Sequence, residues 1–276
     1  MQPSQAFDLS GRVALVTGGQ GTLGSQYVSA FVQAGMRVGI VDIKDSIHPL
    51  VQGLIDSGEP IIHATADIKS RHEVENAFEK FLIAFDDTPT ILVNNAGLAS
   101  DPDASAEENG LFETYPEVSW DAMIDSHLKG MLIASQVFIS YYRTAHKTVG
   151  SIINISSTYG VVAPEQALYE FRRKNGERYY KPIGYSVAKA GVLGFTRWLA
   201  EYCSYEQLGV RVNTIVPGGV FTGQDDEFVH AYERRTMLGR MARQGDYNGA
   251  VLFLASDASS YMTGATLTID GGWCAR

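Results

Sequence analysis

Val13-Ala14-Leu15-Val16-Thr17-Gly18-Gly19-Gln20-Gly21-Thr22-Leu23-Gly24 carries a short apolar run into a glycine-rich bend and then into a helical pattern. A strand that feeds a helix through such a bend aims backbone N–H groups and a helix N-terminus at one spot, where a pyrophosphate can be held. Any tight strand-to-helix turn also favours glycine, so the neighbouring sequence has to support the reading. It does: the next apolar run ends in Val41-Asp42, about twenty residues on, where a carboxylate can accept hydrogen bonds from an adenosine ribose and would repel a 2′-phosphate. The pattern predicts NAD rather than NADP. No Arg or Lys lies within the glycine turn, and Lys44 is the nearest base that could act against the argument.

Outward from this unit, β-branched apolar runs at 13–16, 38–41, 60–63, 90–93, 152–155, 210–216 and 266–269 alternate with longer stretches of three-and-four apolar spacing at 23–34, 72–85, 118–142, 185–202 and 247–255. That alternation predicts βαβ crossovers and one seven-stranded parallel sheet buried on both faces. With 276 residues, 45% apolar and 11% aromatic, the chain can bury a sizeable core as a single α/β domain, which excludes a disordered or fibrous protein. The formal charge of −9 repels phosphate backbones and anionic membranes, so nucleic acid is not an expected partner. Cys203 and Cys274 are too few for a disulfide framework or a four-ligand zinc site, and no metal is expected. With no membrane-length apolar run and no signal-peptide layout at the start, the expected location is the cytoplasm.

Two segments exceed a compact connection, a further one reads as a lid, and long loops are commonly functional. The first, 98–117, carries Asp101, Asp103, Glu107 and Glu108 without a base. The second, 161–181, is locally basic, with Arg172, Arg173, Lys174, Arg178 and Lys181 against Glu165, Glu170 and Glu177. The third, 220–243, reads as a substrate lid whose acidic Asp225, Asp226 and Glu227 suit the positive end of a helix.

Tyr185 and Lys189 stand four apart on one helix face, within mutual reach. Alone the pair means little, but one strand ends in Ile155-Ser156-Ser157 and another in Asn94-Asn95-Ala96-Gly97, at the strand ends where open α/β sheets bind ligands. A nearby cation lowers a phenol's pKa and favours the phenolate. Ser157 could hold a substrate oxygen while Tyr185 takes its proton and a hydride leaves the same carbon for a nicotinamide.

Thr17-Gly18 at the glycine turn, Asp67-Ile68, Asn94 to Gly97, Ser157, Tyr185 to Lys189, Pro217-Gly218 and Asp270-Gly271-Gly272 stand in an order that resembles the short-chain dehydrogenase/reductase family over nearly the whole chain. The resemblance implies a Rossmann-type doubly wound sheet, catalysis by Ser157, Tyr185 and Lys189, and Lys189 touching the nicotinamide ribose. It implies cofactor contacts from Gly18, Gln20, Gly21, Thr22, Leu23 and Gly24, from Asp42 and Ile43, and from Asp67 and Ile68 beside the adenine. Asn94, Asn95, Ala96 and Gly97 would flank the cofactor, with Pro217, Gly218, Val220 and Thr222 facing the nicotinamide. A homotetramer or homodimer built on the helices near 118–142 and 185–202 is implied as well.

Two departures stand out. Thr22 occupies a position where the family usually has Gly, which reshapes the turn and makes Thr22 a candidate helix cap. His127, in Asp125-Ser126-His127-Leu128-Lys129-Gly130, stands where the family has its fourth catalytic residue, an Asn; it is a proton relay that titrates near neutrality or a structural substitute.

The separation of Ser157 from Tyr185 exceeds the family's common spacing, and the extra residues are the basic segment. Its arginines could hold a phosphate or carboxylate, or form a solvated loop. The stretches 111–120, 159–170 and 217–221 further resemble oxidoreductases of flagellin-modification and nonulosonic-acid-type sugar pathways. The leading expectation is hydride transfer between NAD(H) and an alcohol or ketone of a sugar or nucleotide sugar. Polyols, sugar acids and 3-oxoacyl thioesters are alternatives, as is a non-catalytic NAD-binding sensor, which would not need the trio. An epimerase or dehydratase would use Tyr and Lys with NAD, and normally carries a longer C-terminal substrate domain.

Overall fold

β-Branched runs shielded on both faces become the central strands of one parallel sheet. In the computed structural model these are β1 (Val13–Thr17), β2 (Arg37–Asp42), β3 (Ile61–Thr65), β4 (Ile91–Asn94), β5 (Gly150–Ile155), β6 (Val210–Pro217) and β7 (Thr266–Ile269), all parallel in the order β3-β2-β1-β4-β5-β6-β7. The structure describes residues 5–99, 105, 107–174, 176 and 178–276. Asp101, Asp103 and Glu177, named above from sequence, lie outside the described residues. β1, β4 and β5 are buried throughout, whereas the edge strand β7 alternates between exposed and half-buried residues. Burial on both faces therefore holds for the sheet centre and not for that edge.

The connecting helices are α1 (Thr22–Gln33), α2 (Pro49–Asp56), α3 (Arg71–Phe85), α4 (Glu117–Ile124), α5 (Gly130–Thr144), α6 (Glu170–Lys174), α7 (Ile183–Tyr205), α8 (Asp226–Arg235) and α9 (Asn248–Ala255). On one face of the sheet α3, α5 and α7 bury Phe78, Phe81, Val137, Phe138 and Leu199 against Val13 and Leu15. On the other, α1 and α9 bury Tyr27, Phe31, Val251 and Leu254 against Ala14 and Val16. No helix among the described residues is long and apolar enough to cross a membrane.

One helical pattern divides. The periodicity over 118–142 predicts a continuous helix, but α4 and α5 are joined by a π-helical turn, Asp125–Lys129. Such turns concentrate at functional sites. Here Leu98 N donates to Ser126 Oγ at 3.4 Å and the His127 ring bonds the Leu98 carbonyl at 2.9 Å, so the turn is tied to the loop after β4.

The strand order reverses between β1 and β4, which opens a crevice at the carboxyl ends of the strands, the usual ligand position in such sheets. Beneath it lies a buried polar chain. Asn94 Nδ2 donates to Asn154 Oδ1 (2.8 Å) and Ser135 Oγ (3.0 Å), Asn154 Nδ2 donates to Thr196 Oγ1 (2.9 Å), and the Thr196 and Thr214 hydroxyls share a 2.6 Å bond. These bonds tie β4, β5, β6, α5 and α7 together, although Asn94 Oδ1 is buried with no partner among the described residues.

Candidate active site

The glycine turn is shaped by what a side chain would strike. Gly18 has φ +65°, and a Cβ there would lie 2.8 Å from Ala96 Cα. Asn95 Nδ2 donates to the Thr17 and Gly18 carbonyls (3.2 and 3.0 Å), while Thr17 Oγ1 accepts from the N–H groups of Asn95 and Ala96 (both 3.1 Å), locking the turn to the end of β4. The N-cap of α1 is Gly21, and no side chain caps it. Thr22 is the first helical residue and not the cap expected from sequence, so the opening N–H groups of α1 face the cleft without a capping side chain.

At the end of β2 the buried Asp42 accepts from Gln20 N (Oδ2, 2.9 Å) and Lys44 N (Oδ1, 3.0 Å). Gln20 Oε1 accepts from His48 N at 2.7 Å, whereas Gln20 Nε2 is buried with no partner among the described residues. A buried donor without a partner is costly. Both Gln20 and Asp42 line a cleft of about 910 Å³ that runs from the glycine turn past Asp67 and Ile68 to Tyr185 and Lys189. An orphaned donor, an uncapped helix start and a turn that admits no Cβ together fit a bound dinucleotide.

At the other end, Ser156 Oγ donates to the Lys189 carbonyl at 2.7 Å and so pins α7 to the end of β5. Lys189 Nζ donates to the Ile155 carbonyl at 2.9 Å and lies 5.8 Å from the centre of the Tyr185 ring. Ser157 Oγ accepts from Tyr159 N at 3.2 Å. Burial pushes the Tyr185 phenol up, with a hydrogen bond from Ser157 acting the other way, and burial pushes the Lys189 ammonium down to about 8. The expectation that Lys189 lowers the phenol is therefore corrected. Desolvation of the buried phenol sets the direction, and the ammonium, directed at the Ile155 carbonyl, does not reverse it.

His127 is buried, edge-on to Tyr185 at 5.6 Å. Its Nε2 must carry the hydrogen, since the Leu98 carbonyl only accepts, and a Cβ on Gly97 would lie 2.1 Å from Nδ1. Burial first, and the Lys189 charge second, push the imidazole down to about 3. A relay that titrates near neutrality is thereby corrected to a neutral ring. The unfolded chain takes up this proton near pH 6.5 and the folded chain does not, so stability present above 6.5 is lost as the pH falls toward about 3. The melting temperature of the wild type is expected to drop more steeply between pH 6.5 and 5 than that of His127→Asn. Parallel melting curves for the two proteins would mean that the imidazole titrates normally.

Of the residues expected from sequence, Gly18, Gln20, Gly21, Thr22, Leu23, Asp42, Ile43, Asp67, Ile68, Asn95, Ala96, Gly97, His127, Ser157, Tyr185, Lys189, Pro217, Gly218 and Val220 line this one cleft. Gly24, Asn94 and Thr222 do not. Gly24 lacks a Cβ because one would meet the Gly18 carbonyl oxygen at 2.0 Å, Asn94 serves the buried chain below, and Thr222 N is held by Gln224 Oε1 at 2.8 Å. The arginines of the basic segment are engaged elsewhere: Arg172 lies 3.9 Å from Asp225 and over the Tyr179 ring, and Arg173 lies 3.7 Å from Glu170 and over the Tyr180 ring. Arg178 is exposed. Only Lys181 of that cluster lines the cleft, together with Phe228 and Tyr232 from the expected lid and with His48, Tyr159 and Tyr169, which sequence reasoning had not named as site residues.

The family model described as Enoyl-(Acyl carrier protein) reductase matches residues 19–274. The chain is similar to the 3-oxoacyl-(acyl-carrier-protein) reductase FabG of Thermotoga maritima, at 30% identity over 96% of this chain and 98% of that one. It is similar in structure to a short-chain dehydrogenase from Leptospira borgpetersenii with bound NAD+, with TM-score 0.82 and 30% identity over 98% and 95% of the two chains. A gluconate 5-dehydrogenase from Burkholderia cenocepacia, in complex with NADP and tartrate, has TM-score 0.80 and 26% identity over 99% and 98%.

Proposed function

The chain belongs to the short-chain dehydrogenase/reductase family, an oxidoreductase acting on CH–OH and C=O groups, and we propose that it works with NAD(H) on a sugar-derived secondary alcohol or ketone. The observation that carries the reading is the convergence of Ser157, Tyr185 and Lys189 on the cleft that also contains the glycine turn and Asp42. Bound NAD(H) supplies hydride chemistry at the substrate carbon. The Ser157 hydroxyl holds the substrate oxygen, Tyr185 moves the proton at that oxygen, and Lys189, braced on the Ile155 carbonyl, places a cation 5.8 Å from the ring that offsets part of the burial cost of a phenolate without reversing it. The N–H groups at the start of α1 would hold the pyrophosphate, Asp42 the adenosine ribose, and Asp67 and Ile68 the adenine edge. His127 acts as a neutral hydrogen-bonding ring beside Tyr185.

The substrate reading draws support from the gluconate 5-dehydrogenase likeness; the Thermotoga relative favours a 3-oxoacyl thioester as the second reading. Segment 220–243 is our lid, since Phe228 and Tyr232 of α8 line the cleft. Exposed Val118, Leu132, Val187 and Trp198 on α4, α5 and α7 support a homotetramer or homodimer built on those helices.

The test is an initial-rate screen with NAD(H) and NADP(H) against polyols, sugar acids, sugar phosphates, nucleotide sugars and a 3-oxoacyl thioester, with Tyr185→Phe as the blank. NAD preference rests on Asp42, although Lys44 also lines the cleft. Asp42→Ala is expected to cut the NAD-over-NADP ratio of kcat/KM by about 10-fold or more, because one carboxylate both binds the ribose and repels a 2′-phosphate. An unchanged ratio would sink the assignment.

A further inference from the structure

Carboxylates and bases are unevenly placed along the cleft, with Lys44 and Lys69 standing beside the acidic residues of its adenosine end. Asp42 and Asp67 line its adenosine end, and no carboxylate among the described residues lines the end that holds Ser157 and Tyr185. That end is walled by Tyr159, Tyr169, Phe228, Tyr232 and Met241, which belong to an aromatic cluster completed by Tyr179 and Trp273. The cluster is well packed: ring centres lie 4.5 Å apart for Tyr169 and Tyr179, 5.4 Å for Tyr169 and Phe228, and 4.4 Å for Tyr232 and Trp273.

Two ammonium groups stand at this wall. Lys189 is directed at the Ile155 carbonyl from beneath the Tyr185 ring system's neighbourhood, 5.8 Å from its centre. Lys181 comes from the inserted segment, with Nζ 5.3 Å from the centre of the Tyr185 ring and 5.9 Å from that of Tyr159. Its backbone is fixed on both sides. Lys181 N donates to Gln166 Oε1 at 2.9 Å, and the next residue, Pro182, is the N-cap of α7, whose first turn carries Tyr185. The cation is thus held beside the reacting phenol by the same helix start that positions it.

We propose that Lys181 is the specificity-determining cation of the substrate site, binding the carboxylate of a small hydroxy or oxo acid whose reacting oxygen lies on Ser157 and Tyr185. This rests on the redox reading above and narrows it to sugar acids rather than neutral polyols or nucleotide sugars. Lysine binds carboxylates and phosphates alike as a point charge, but one lysine matches the single charge of a carboxylate, whereas the higher charge of a phosphate is better met where Arg forks or several N–H donors join it. The arginines that could form such forks stand outside the cleft, on Asp225 and Glu170. Burial pushes the Lys181 ammonium down to about 8, so at neutral pH it still carries charge, and an arriving carboxylate would hold that proton on. In an aromatic, partly dry wall such a pair is stronger than in water.

The experiment compares Lys181→Gln, Lys181→Arg and wild type, all saturated with NAD+, on gluconate, the neutral polyol glucitol and a sugar phosphate. Arg178→Gln is the control from the same segment. For Lys181→Gln, kcat/KM on the acid is expected to fall by about 10–100-fold, mainly through KM, and on the polyol far less, so that the acid-to-polyol ratio collapses. Lys181→Arg restores most of the ratio, Arg178→Gln leaves it unchanged, and the sugar phosphate is turned over less efficiently than the acid by the wild type. An unchanged ratio in Lys181→Gln, or a wild type that prefers the phosphate, overturns the proposal. Calorimetry on the NAD+-loaded protein with tartrate and erythritol gives a readout without turnover. Tartrate bound more tightly than erythritol, with the difference lost in Lys181→Gln, supports the anion site; equal binding, or none, overturns it. Selective tartrate binding without any Tyr185-dependent absorbance change would instead count against the redox reading alone.

Discussion

Tyr185→Phe is expected to lower kcat by about 10²–10⁴-fold in both directions, the range that a positioned acid–base group contributes. The substitution keeps the ring, its edge contact with His127 and its place on α7, and removes only the oxygen. Because burial pushes the phenol up, ketone reduction draws on a proton that is present throughout the neutral range. Alcohol oxidation needs the phenolate and must speed up as the pH rises. Both behaviours end with the hydroxyl. NAD+ affinity, by contrast, rests on the glycine turn and Asp42 and is expected to change by less than about 10-fold, since one contact of many is touched. Single-turnover rates and a nucleotide titration check the two halves separately. Retention of kcat would move the acid–base role elsewhere, and loss of nucleotide binding would make Tyr185 chiefly a binding residue.

The parts of this molecule that follow from local pattern were legible, and those that depend on where a side chain points were not. All seven strands match the apolar runs: the central ones because a strand buried on two faces has little else it can be made of, and the half-exposed edge strand Thr266–Ile269 because its residues are still β-branched or apolar. The helix Pro49–Asp56 went unseen because it is only eight residues long and is interrupted by Gly53, although Val51, Leu54 and Ile55 do form a short apolar stripe against the core. The break at Asp125–Lys129 is imposed by a tertiary bond to Leu98, which periodicity within 118–142 cannot report. The trio and the glycine turn were visible as spacing. The sign of the Tyr185 shift was not, since sequence supplies a neighbouring charge but no measure of desolvation. Among five bases in one segment, sequence reasoning chose the arginines for their chemistry, while the structure brings Lys181 to the cleft. Its signal was positional: it stands four residues before Tyr185 and immediately before the proline at which α7 begins.

Gly24→Ala is expected to weaken NAD+ binding by at least about 100-fold, although the residue does not line the cleft. A Cβ at Gly24 would lie 2.0 Å from the Gly18 carbonyl oxygen and 2.8 Å from both Gly18 C and Gly19 Cα. All three are backbone atoms, and the Gly18 carbonyl is already committed to Asn95 Nδ2 and to Gly21 N at 3.1 Å. Nothing flexible is available to yield, so either α1 tilts off the turn or the turn lifts from β4. Either movement misdirects the N–H groups that would meet the pyrophosphate. Overpacking of this kind also costs about 1–3 kcal/mol of stability, enough to lower the melting temperature by several degrees. The matched control is Gly53→Ala, on an exposed face of α2 with nothing within 4 Å of its Cβ. It carries the same added methyl and should raise stability by about 0.5–1 kcal/mol while leaving nucleotide affinity unchanged. Isothermal titration with NAD+ and thermal melts on both variants separate the two effects. If Gly24→Ala bound NAD+ as the wild type does, the contact of α1 with Gly18 would not be what shapes the phosphate site, and the uncapped N-terminus of α1 would have to do so alone.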